Sequence, residues 1–144
     1  MQMVLGFIAV IILLLYSIYF INIIKGKPRG FELEILRALA DWMIFKGAAS
    51  KKNIWSMFGG SLLGEAFYFY LTLAYIQNLV MRIFTLILIF LEIFHLMRIA
   101  VGLNRFFTGK YLLSQIFNWR VERASATIFF THSLLVLIVL YYFY

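Results

Sequence analysis

The chain has 144 residues, of which 65% are apolar, 19% aromatic and only 13% charged, and a mean hydropathy of +0.95 places it outside the composition of water-soluble globular domains. Thirteen Lys and Arg against six Asp and Glu leave a net charge of +7, yet the basic residues flank apolar runs, which points to anionic lipid headgroups and away from nucleic acid. With no cysteine, the chain has no disulfides, no thiolate metal site, no iron–sulfur ligation and no thiol catalysis.

Four apolar segments of about 20 residues, the length an α-helix needs to cross about 30 Å of hydrocarbon, lie at 3–24, 54–77, 80–101 and 124–144. They lack the strict alternation of a transmembrane barrel. The expected fold class is therefore all-α: a single integral membrane domain over 1–144, built as a polytopic four-helix bundle. No basic residue precedes the first segment, and it ends at Lys25-Gly26-Lys27-Pro28-Arg29 without a small-residue cleavage pattern, so it reads as a retained anchor.

The segment 25–53 carries Lys25, Lys27, Arg29, Arg37, Lys46, Lys51 and Lys52, and 102–123 carries Arg105, Lys110, Arg120 and Arg123. Only Arg82 lies near the turn between the second and third spans. The positive-inside rule then sends both long loops to the cytoplasm and both termini to the other side of a plasma or inner membrane. Tyr141, Tyr142 and Tyr144 form the aromatic belt there. Each cytoplasmic loop is expected to hold an interfacial amphipathic helix. In 31–45, Glu34, Arg37 and Asp41 share one face while Leu36, Leu39 and Met43 lie away from it. In 111–123, Ile116, Phe117 and Trp119 serve the interface and Arg120 and Arg123 the headgroups.

Ionisable residues inside apolar spans are costly and need a reason to be there. Four qualify: Glu65, Glu92, His95 and His132. Counted inward from the expected span ends, Glu65 and Glu92 share one layer and the two imidazoles the next. Glu92 and His95, at i and i+3, project from neighbouring parts of one helix face. Gly60, Ser61, Gly64, Glu65, Tyr68 and Thr72 occupy one sector of the second span, and Gly60-x-x-x-Gly64 is the usual form of a close helix contact. Ser125 and His132 share a face of the fourth span.

Besides simple packing, three chemistries suit these residues. Two Glu and two His are a ligand set for a divalent metal such as zinc, iron or manganese. His95 and His132 are a pair for b-type haem, with Arg98, Arg105 or Arg123 for its propionates. Alternating Glu and His also relay protons. His-Glu-x-x-His, Gly-x-Ser-x-Gly and Walker A motifs are absent. The sequence thus points to a non-enzymatic subunit of a larger membrane assembly, whose partners are other subunits or copies of itself and whose Glu/His cluster binds metal or relays protons. The alternatives are a redox protein or enzyme using that cluster, and a proton-coupled transporter acting as an oligomer.

Overall fold

The computed structural model describes residues 1–143, so Tyr144, the end of the fourth expected span and part of the expected belt, lies outside the described residues. Five helices run in order: α1 (Gln2–Ile24), α2 (Pro28–Lys46), α3 (Ser50–Tyr75), α4 (Leu79–Phe107) and α5 (Trp119–Phe143). Short 3-10 turns occupy Gly47–Ala49 and Leu113–Gln115, and no strand occurs among the described residues. Helices α1, α4 and α5 are long and apolar enough to cross a membrane, which makes this a helical integral membrane protein. Helix α3, the second expected span, falls below that hydropathy. Gly59, Gly60, Gly64, Glu65 and three tyrosines dilute its apolar residues.

The helix ends follow from local chemistry. Gly26 (φ 69°) closes α1 through bonds from its own N–H to Ile23 O and from Lys27 N–H to Asn22 O, a left-handed cap that glycine adopts without strain. Pro28 then starts α2 at a position where no donor is missed. Gly109 (φ 76°) closes α4 in the same way, with bonds from Gly109 to Phe106 O and from Lys110 to Arg105 O. Three residues join α3 to α4, and the Asn78 side chain caps α4 by accepting from Met81 N–H at 3.1 Å.

Helices α1 and α5 make the most extensive contact and run antiparallel. A Cβ on Gly6 would lie 3.8 Å from Leu140 Cδ1, and further along the pair Tyr16 stacks on Phe129 with ring centroids 5.2 Å apart. The start of α1 therefore sits beside the end of α5. The hairpin of α3 and α4 packs against this pair around Leu5, Tyr68, Leu71, Leu88, Phe129 and Val136. A second apolar cluster joins Ile54, Leu103 and Ile116 to Leu39, Trp42 and Met43 of α2 at the end of the molecule that carries the loops, the basic end.

Helix α2 covers the expected 31–45, with Glu34, Arg37 and Asp41 exposed. Its Leu39 and Met43 face the second cluster of this same chain. The expected helix over 111–123 does not form. Ile116 is buried against Gly102, where a Cβ would meet Ile116 O at 3.0 Å, so the loop folds back onto α4; Trp119 to Arg123 are instead the start of α5. The close contact expected at Gly60 and Gly64 is also absent from the described chain: a Cβ at either meets nothing within 4 Å, so this strip faces outward.

Candidate functional site

Helix α4 runs to Phe107, well past the expected 101, whereas α5 begins at Trp119, ahead of the expected 124. Near its start, α5 therefore meets the middle of α4, and Glu122 stands opposite His95. Glu92 Oε1 lies 2.6 Å from His95 Nδ1, and Glu122 Oε1 lies 2.9 Å from His95 Nε2. Ser125 Oγ donates to the second oxygen of Glu92 at 3.1 Å. The result is a chain of carboxyl, imidazole and carboxyl in which each ring nitrogen faces an acid. Glu92 is buried, and His95 and Glu122 are largely so.

This chain connects two cavities. Glu122 and His95 line a groove of about 790 Å³ at the basic end, walled also by Arg98, Arg105 and Tyr111. Glu92 lines a second groove of about 530 Å³ between α3 and α4, otherwise apolar except for Glu65 and Tyr70. Glu65 of α3 and Glu92 of α4 thus line the same groove. Ser61 Oγ donates to Glu65 Oε1 at 3.2 Å, and Glu65 Oε2 is buried without a hydrogen-bond partner among the described residues.

His132 does not join them. It lies ten residues beyond Glu122 on α5, about 15 Å at 1.5 Å per residue, so its layer is deeper than that of His95. Counting each residue from its own span end misplaced it because α4 overshoots α5. His132 is fully buried, with Tyr68 Oη 2.8 Å from Nδ1 and Thr85 Oγ1 2.9 Å from Nε2. It ties α3, α4 and α5 together as a satisfied core histidine. Haem ligation by His95 and His132 does not fit, since the rings lie in different layers and both nitrogens of each are engaged. Nor do three His, Asp or Glu side chains converge as a metal site among the described residues.

Closer to the basic end, a second polar cluster links three helices. Glu32 of α2 is only 3% exposed and accepts from Tyr19 Oη at 2.7 Å, from Arg123 Nε at 2.6 Å and from Arg123 Nη2 at 3.0 Å. Burial by itself would raise the Glu32 carboxyl; the bonds from Arg123 and Tyr19 and the positive charges of Arg123 and Arg29 outweigh it and hold the group below its ordinary value.

Sequence reasoning missed Glu122 as a partner of His95. Glu122, Ser125, Phe129, His132 and Val136 form one stripe at helical spacing, so extending the Ser125–His132 face by one turn leads to it. Glu32 carried no such signal. It reads as part of a polar helix face until α5 is placed beside it. Compared with known proteins, the chain matches no family model, no curated protein and no solved structure.

Proposed function

We propose that the chain is a non-enzymatic subunit of a larger membrane assembly in which Glu122, His95 and Glu92 pass protons between the groove at the basic end and the groove between α3 and α4. The observation that carries this reading is the imidazole held between two carboxyls that open onto different cavities. A proton on Glu122 Oε1 moves to His95 Nε2 as the proton on Nδ1 leaves for Glu92 Oε1. The ring changes tautomer and its charge is unaltered. Glu65, on α3, is the other carboxyl that lines the same groove.

Four spans, with both long loops cytoplasmic and both termini on the other side, complete the proposal. The support for α3 as a span is its 26 residues, about 39 Å of helix, tied to α4 by three residues and running back beside it. The start of α1 beside the end of α5 puts the termini together, and the basic loops favour the cytoplasm for the opposite end. Helix α2 would then lie at the cytoplasmic interface. A neighbouring subunit or second copy is favoured by the open apolar groove and by the outward Gly60–Gly64 strip.

Infrared spectroscopy of the reconstituted protein, following the carboxyl C=O stretches, tests the relay. With Glu→Gln variants assigning the bands, Glu122→Gln should shift the Glu92 band, because hydrogen bonds in one chain polarise each other through the His95 ring. In a His95→Asn background the same change should leave the Glu92 band in place. A Glu92 band indifferent to Glu122 when His95 is present overturns the relay.

A further inference from the structure

We propose that the groove between the first turns of α2 and α5 binds the phosphodiester of an anionic phospholipid. The groove, of about 540 Å³, is bounded by Arg29, Glu32, Arg120 and Arg123, with Leu33, Leu36 and Trp119 beside Asn118 in its walls. The charges decide what it holds. Both oxygens of Glu32 are taken by Arg123, so that pair is internally neutral. Arg29 and Arg120 are exposed, and neither guanidinium makes a hydrogen bond or ion pair with a described residue, the bond from Arg120 to Asn118 Oδ1 coming from its backbone N–H. Arg29 adds to the field at Glu32 without contacting it. Two guanidinium groups with no contact partner therefore border one concave space, and each presents the planar fork that matches two phosphate oxygens.

The apolar walls distinguish a lipid from free phosphate. Leu33 is 55% exposed and Trp119 half-buried, so the groove offers apolar surface and an amphipathic ring next to its charges. A glycerol backbone and the start of an acyl chain would cover that surface, and inorganic phosphate would not. Placement in the fold agrees. Arg29 follows the end of α1 at Ile24 by one tight turn, and Arg120 is the second residue of α5, so both stand where an apolar helix leaves the hydrocarbon. This inference uses the membrane-spanning character of α1 and α5 and is independent of the proton relay.

Native mass spectrometry of the full chain, released from detergent containing phosphatidylglycerol or phosphatidylcholine, reads the site directly. One phosphatidylglycerol should be retained in preference to phosphatidylcholine. Arg29→Gln and Arg120→Gln should each weaken retention about tenfold, the scale of losing one charge-assisted contact. A matched double variant, Lys25→Gln with Lys110→Gln, removes the same charge outside the groove and should bind as the parent does. Equal loss in this variant and in the Arg29→Gln, Arg120→Gln double variant would reduce the effect to diffuse charge and overturn the site. Equal retention of the two lipids, or displacement of phosphatidylglycerol by excess inorganic phosphate, would overturn the lipid assignment.

Discussion

Breaking the contact between Glu32 and Arg123 should release α2 from the bundle while leaving the apolar helices in place. Glu32 receives three hydrogen bonds, two of them from a guanidinium. Charge-assisted bonds contribute about 1.5–3 kcal/mol each when sheltered. The Arg123 side chain is 31% exposed, so water partly replaces what it loses, and the pair should be worth about 1–2 kcal/mol, less than the ~3–5 kcal/mol of a fully buried one. Amide hydrogen exchange in lipid nanodiscs reads this out along α2. A change of about 1–2 kcal/mol makes exchange there roughly 5–30-fold faster. In a double-mutant cycle of Glu32→Ala and Arg123→Ala, the double variant should exchange little faster than either single one, with a coupling of about 1–2 kcal/mol. Exchange in α1 should not change. Effects that add to within ~0.5 kcal/mol, or an unmoved α2, would refute the latch.

The same contact has a pH signature. Because the folded Glu32 carboxyl is held below its ordinary value, its contribution is complete above the unfolded value of about 4.3 and is lost as pH falls through the lower folded one, so α2 exchange should accelerate only in acid and not near neutrality. Gly102→Ala forces a methyl onto the Ile116 backbone and should cost ~1–3 kcal/mol in a detergent denaturation curve, while Gly60→Ala and Gly64→Ala should leave that curve in place. Tyr68→Phe or Thr85→Val strips one partner from the buried His132 ring and should cost ~1–3 kcal/mol; a neutral result would remove His132 from its structural role. With no native cysteine to interfere, single cysteines at Lys51 and Lys110 should resist an impermeant thiol reagent in intact cells and one at Asn78 should react. The reverse pattern would invert the topology.

The apolar helices α1, α4 and α5 were legible because unbroken runs of 20 or so residues leave the backbone no alternative in lipid. The pairing of Glu92 with His95 was legible for an equally local reason, the i, i+3 spacing. What failed was everything that depends on the offset between helices. The six extra residues of α4 are not marked by hydropathy, since Gly102, Asn104 and Arg105 look like loop until Gly109 is seen to cap them. That offset moves His132 out of the cluster and brings Glu122 into it. The loop at 111–123 reads as amphipathic in isolation; the space above Gly102, which only the folded chain provides, is what draws Ile116 inward. Glu32 and Arg123 stand 91 residues apart, and no periodicity links them.

A single helix divides the two grooves. The stretch of α4 from Phe94 to Arg105 walls the larger groove, Ile89 to Ala100 walls the apolar one, and Met97 lines both. A molecule seated in either groove therefore touches a side chain that also lines the other. Occupation of one side need not be signalled across the molecule to be felt on the other: any turn of α4 about its own axis moves a wall of both grooves at once and carries Glu92 and His95 with it.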